Sequence, residues 1–171
     1  MYASQKITTP RRPGRMAVFG PGVLAGLLFL NAATGPALAA PSYDATVITL
    51  TQIPCQFLES EAGADHGFKT KNIRDCRAIN EKTGKERLRK AAPLTVKPGK
   101  YIFRVTNRNV PYELGFWLRG VGLARLLQPN VSGGGLTEGK TRDYAVELTA
   151  GDYVYSCPLN PTPDYALIVK E

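Results

Sequence analysis

The chain is 171 residues long, with 22 Lys+Arg against 14 Asp+Glu, one histidine and three cysteines. Four of the cations, Lys6, Arg11, Arg12 and Arg15, fall in an acid-free N-terminal stretch, which leaves 18 basic against 14 acidic residues, a net charge of +4, on the rest. So small an excess gives nucleic-acid binding no support, and the remaining length of about 130 residues suits one domain with its own core.

From those cations, residues 1–39 run through Val23-Leu24-Ala25-Gly26-Leu27-Leu28-Phe29-Leu30 to Ala37-Leu38-Ala39. A basic start, a short apolar run and an A-x-A site read as a secretory signal peptide. The apolar run falls short of the roughly 20 residues that a spanning helix needs. Cleavage near Ala39 is therefore expected, leaving no stable membrane span, a domain over residues 40–171 and a periplasmic or secreted location. Disulfides persist in such a compartment. Because Cys55, Cys76 and Cys157 are odd in number, at least one stays unpaired within a monomer.

Beyond the signal, residues 46–58 alternate and are rich in β-branched side chains, predicting a strand bent at Pro54. Residues 60–92 form a basic polar insertion in which Ile73, Cys76 and Ile79 recur every three residues, predicting a short helix packed by one edge. Leu94-Thr95-Val96, the Pro98-Gly99 turn and residues 101–106 predict a strand, turn, strand unit. Strands are also predicted over 112–118, 142–148, 153–157 and 165–169. Residues 120–140, which include Ser132-Gly133-Gly134-Gly135, predict a long flexible connection. Short strands at this spacing give an all-β class, a Greek-key sandwich or barrel with a helical insertion.

Two motifs carry a resemblance. Leu94-x-Val96-x-x-Gly99-Lys100-Tyr101-x-Phe103-x-Val105-x-Asn107 resembles the central strands of a cupredoxin. Gly151-x-Tyr153-x-Tyr155-x-Cys157-Pro158 resembles the strand that delivers the cupredoxin thiolate. The chain also resembles the cupredoxin-like domain of EfeO-type periplasmic iron-uptake proteins. That resemblance implies Cys55, Glu113 and Cys157 as the metal-site positions. The departures are specific. The histidine expected three residues after the cysteine is Asn160, the one expected just past a proline is Tyr112, and Met1 and Met16 both lie in the signal.

A blue-copper site needs two imidazoles, a thiolate and usually a thioether, and this chain has only His66. The available metal donors are Cys55 and Cys157 as thiolates, Glu113 or Asp164 as carboxylates, and His66 if the insertion folds over. Such a set suits Cu(I) or Zn(II). Copper is the leading cofactor, with iron (as the resemblance implies) or no metal as alternatives. The expected activity is electron transfer or metal delivery through a non-blue site. By period-two alternation Tyr112, Leu114 and Phe116 share a core face, so Glu113 points away from it unless a bulge shifts the register.

The competing use of the cysteines is structural. A Cys55–Cys76 disulfide closes a loop of about 20 residues, worth roughly 3 kcal/mol in the chain-entropy model, and leaves Cys157 alone in a metal-free binding or scaffold module. Eleven Lys or Arg between Lys69 and Lys100 face only Asp75, Glu81 and Glu86. They make either a solvated helix face or a docking surface for an acidic redox or metal-transfer protein. No catalytic motif is present: no G-x-S-x-G elbow accompanies the lone histidine, and Ser132 to Gly135 lacks the spacing of a phosphate loop. The chain is not expected to be an enzyme.

Overall fold

A computed structural model describes residues 44–171; the expected signal peptide lies outside the described residues. Among the described residues, nine strands form two sheets. In chain order they are β1 (Thr46–Ile53), β2 (Gln56–Phe57), β3 (Leu94–Val96), β4 (Gly99–Asn107), β5 (Leu114–Gly120), β6 (Val131–Leu136), β7 (Thr141–Leu148), β8 (Gly151–Ser156) and β9 (Tyr165–Val169), with one α-helix, α1 (Ile73–Lys90), between β2 and β3. One sheet runs β2-β1-β4-β7 and the other β3-β9-β8-β5-β6. This is the expected all-β sandwich with a helical insertion.

Alternation along the strands drives the packing. In β4, Tyr101, Phe103 and Val105 are buried and meet Phe116, Leu118, Tyr153, Tyr155 and Leu167 from the other sheet. Phe103 stacks on Phe116 at 5.3 Å, and Phe57 meets Phe116, Tyr155 and Tyr165 edge-on at 5.5–6.1 Å. Edge-to-face pairs of this kind add about 1 kcal/mol each beyond the area they bury.

Two elements differ from expectation. The insertion helix is 18 residues rather than short. Asn72 caps it reciprocally with Asp75, and Arg87, Arg89 and Lys90 lie in its last turn, where cations complement the helix dipole. Residues 120–140 are not a flexible connection. They hold a 3-10 turn at Gly122–Leu126 and strand β6, paired antiparallel to β5. The glycine run serves close approach rather than looseness. A Cβ on Gly133 would sit 3.0 Å from the Tyr144 ring, and one on Gly115 would sit 2.6 Å from the Gly133 carbonyl.

β1 ends, β4 ends, β5 begins and β8 ends at one pole of the sandwich, the pole of Cys157. β1 begins, β5 ends and the β7–β8 turn lies at the other.

Candidate functional site

The Cys157 pole is assembled from four segments. Strand β8 runs into Cys157, whose buried sulfur accepts hydrogen bonds from the Gly115 N–H (3.3 Å) and the Asn160 N–H (3.2 Å). The β5–β6 register shift between Leu114 and Phe116 lies at Gly115, one of those two donors. Asn107, fully buried at the end of β4, bonds Val110 through its side-chain oxygen and nitrogen, and its nitrogen also reaches the carbonyls of Tyr112 and Leu136. Those bonds fix the loop that presents Tyr112.

Asn160, completely buried, is the centre of the arrangement. Its Oδ1 accepts from the Cys55 N–H and from the Tyr112 hydroxyl, both at 3.2 Å, and its Nδ2 donates to the Ile53 carbonyl at 3.2 Å. The two positions where the resemblance expects imidazoles, 112 and 160, therefore do meet beside Cys157. They meet as a phenol and an amide joined to each other.

The third component comes from the insertion. Cys55 and Cys76 form a disulfide, so Cys55 offers no thiolate while the bond stands, contrary to its expected role as a ligand. Cys76 Sγ, which carries no proton in the disulfide, lies 2.9 Å from Asn160 Oδ1 and 3.7 Å from the Tyr112 hydroxyl. Cys55 itself has φ 65°, a left-handed conformation that costs a residue with a Cβ about 1 kcal/mol. Its surroundings hold it there: Asn160 takes its N–H, and Arg87 (3.1 Å) and Asn80 (3.3 Å) donate to its carbonyl.

The remaining expected ligands lie apart from this cluster. Glu113 is exposed, just before β5, and accepts from the Gly135 N–H at 2.6 Å. Asp164 pairs with Arg119 at 2.7 Å. His66 Nε2 lies 2.6 Å from Glu61 Oε2. Among the described residues, no group of three or more His, Cys, Asp or Glu is placed to hold a metal ion.

Copper does not fit the donors present at this pole. Two sulfurs are bonded to each other, the amide is engaged with the phenol and the backbone, the phenol with the amide and Thr70, and neither is a ligand that copper favours. Burial pushes the Cys157 thiol up, only partly offset by the backbone N–H groups of Gly115, Asn160 and Leu159.

The signal that sequence reasoning missed is a second buried cluster alongside the disulfide. Arg87, 6% exposed, donates from Nε and Nη2 to the Glu61 carboxylate, the shortest contact being 2.6 Å. Tyr165 and His66 bond the same carboxylate, and Phe68 covers the guanidinium at 5.1 Å. Burial pushes the Glu61 carboxyl up, but the bonds from Arg87, Tyr165 and His66 outweigh it and hold it below the ordinary range. Glu61 and Arg87 are 26 residues apart and belong to no motif, so only their types in an otherwise solvated insertion hinted at them.

No family model matches the chain, and no curated protein matches it. Among solved structures it is similar to a multi-copper oxidase from Pediococcus acidilactici, with 13% identity over 80% of this chain and 28% of that one and a TM-score of 0.41. It is also similar to a reduced-state amicyanin mutant, with 22% identity over 47% of this chain and 71% of that one and a TM-score of 0.31. The chain thus spans little more than a quarter of the oxidase's length. At such TM-scores neither likeness speaks to a site in this chain.

Proposed function

We propose that the chain is an exported, cupredoxin-like binding module in which a disulfide and an asparagine have taken the place of the metal. The observation that carries this reading is the convergence of the Cys55–Cys76 bridge, Tyr112 and Asn160 on one buried point beside Cys157. A metal site needs donors held ready for an ion, whereas these groups satisfy one another. The exposed cations of α1, among them Arg74, Arg77, Lys82, Lys85 and Arg89, are then the working surface, suited to an acidic protein partner.

Copper handling is the second reading, favoured by two cysteine sulfurs that meet one asparagine: Cys76 Sγ lies 2.9 Å from Asn160 Oδ1, and Cys157 Sγ accepts from the Asn160 N–H at 3.2 Å. An external dithiol that reduced the bridge, becoming a disulfide itself, would leave Cys55 and Cys76 as thiols near Cys157, a donor set suited to Cu(I). Iron, which prefers oxygen donors, has less support because Glu113 and Asp164 face elsewhere. Competition with a chromophoric Cu(I) chelator separates the readings. The unreduced protein should take no Cu(I) from the chelator and develop no intense visible band with Cu(II). Stoichiometric uptake by the unreduced protein would overturn the module reading, while uptake only after reduction would favour the second.

A further inference from the structure

A cavity of about 510 Å³ lies between the segment that follows the 3-10 turn at Glu59–Glu61 and the second half of α1, a size common among small-molecule sites. Its floor is the buried Glu61–Arg87 pair, and that floor is already satisfied. Arg87 donates to Glu61, Asn80, Thr83, Tyr165 and the Cys55 carbonyl, while the Glu61 carboxylate also takes bonds from Tyr165 and His66. The walls are less committed. His66, its Nε2 tied to Glu61 at 2.6 Å, lies against the Phe68 ring with centroids 5.4 Å apart, and Ala64 adds a methyl group beside them. At the rim stand Lys82, Glu86 and Lys90. Lys90 bonds Glu86 at 2.9 Å, and Lys82 has no carboxylate within ion-pair distance among the described residues.

We infer that this cavity binds a small carboxylate with a flat apolar body, the ring against Phe68 and Ala64 and the anion at Lys82. Charge complementarity selects the anion. Lys82, Arg87 and Lys90 face the cavity against Glu61 and Glu86, and the two carboxylates are paired with Arg87 and Lys90, which leaves Lys82 uncompensated. A metal or organic cation would meet no free carboxylate there. Phosphate is a poor fit, because it calls for several convergent donors. The N–H groups of Ala62, Gly63, Ala64, His66 and Gly67 are already bonded to Glu59, Leu58, Glu61, Gln56 and Asp65, so the segment offers one ammonium and no backbone nest. An extended peptide would find the same donors taken. The aromatic wall selects the flat body, since rings stack on rings with gain beyond the area covered. The site belongs to the insertion and does not depend on whether a metal ever binds at Cys157.

Titration of the exported protein, its disulfide intact, with cinnamate at low salt, followed by amide NMR shifts, tests the inference. Cinnamate should bind with a dissociation constant of about 1 mM or tighter. The shifts should gather on residues 62–68 and on the second half of α1. Cinnamamide, which keeps the ring and loses the charge, should bind about fivefold more weakly, and so should cinnamate to Lys82→Glu. Lys85→Glu, on the same helix but outside the cavity lining, should bind cinnamate as the wild type does. Ala64→Leu, at an exposed position, fills the cavity and should abolish the shifts at an unchanged thermal midpoint. Wild-type protein with no shifts at about 10 mM cinnamate would overturn the proposal. Equal affinity for cinnamamide, or undiminished binding by Ala64→Leu, would do the same. Equal losses in Lys82→Glu and Lys85→Glu would assign binding to the field of the helix instead of the cavity. Shifts centred on Leu123, Leu126 and Leu127 would assign the ring to exposed leucines, and either result contradicts the site.

Discussion

At the Cys157 pole, polar side chains are buried and bonded to one another, with Asn160 joining Ile53, Cys55, Tyr112 and Cys157. At the opposite pole, a turn fixed by Gln128 leaves three leucines in solvent. The first arrangement has its partners inside the molecule, and changes there register as lost stability. The second is exposed and packs on no core residue among the described ones, so changes there leave the fold alone. Where a side chain's bonds end therefore says which assay will see it.

The largest effect is expected at Arg87. Arg87→Leu leaves the Glu61 carboxylate buried without its cation and should cost about 3–5 kcal/mol in urea unfolding. Adding Glu61→Gln should recover part of that loss, and a single-variant cost below about 1 kcal/mol would break the contrast between the poles. Replacing both Cys55 and Cys76 by Ser should cost about 3 kcal/mol through loop closure. Asn160→Leu strands the Ile53 carbonyl and the Cys55 N–H and should cost about 2 kcal/mol, seen as a lower denaturant midpoint at unchanged slope.

The pH dependence sharpens the same comparison. Because the Glu61 carboxyl is held below its ordinary 4.5, its stabilisation is full above that value and is lost as pH falls through its lower folded value. The acid limb of stability should flatten in Glu61→Gln. Burial raises Tyr112, Tyr144, Tyr155 and Tyr165 above the ordinary 10.0. The unfolded chain gives up those protons first, so stability should fall as pH rises past 10.0. The smallest effect belongs to the far pole, where Leu127→Ser should change unfolding free energy by no more than about 0.5 kcal/mol.

The sandwich was legible because alternation in β4 and β8 and the turn at Pro98-Gly99 are local signals. The ligand positions were legible as substitutions: Asn160 and Tyr112 showed that the imidazoles were gone. Sequence alone did not show that these two side chains bond each other and contact the Cys55–Cys76 bridge. The bridge itself stood beside metal binding as an open alternative, because a cysteine's partner depends on how the insertion folds back. The glycines of β6 misled, since glycine serves a tight strand approach as well as a loose loop. Glu61 and Arg87 were hidden by the ordinary rule that an insertion rich in charge is solvated.

Counting and mapping the thiols of the exported protein, unfolded without reductant, tests the central claim most directly. One reactive thiol on Cys157, with a proteolytic peptide pair linked through Cys55 and Cys76, is the predicted result. Three free thiols, or a bridge that includes Cys157, would contradict the replacement of the metal by this disulfide.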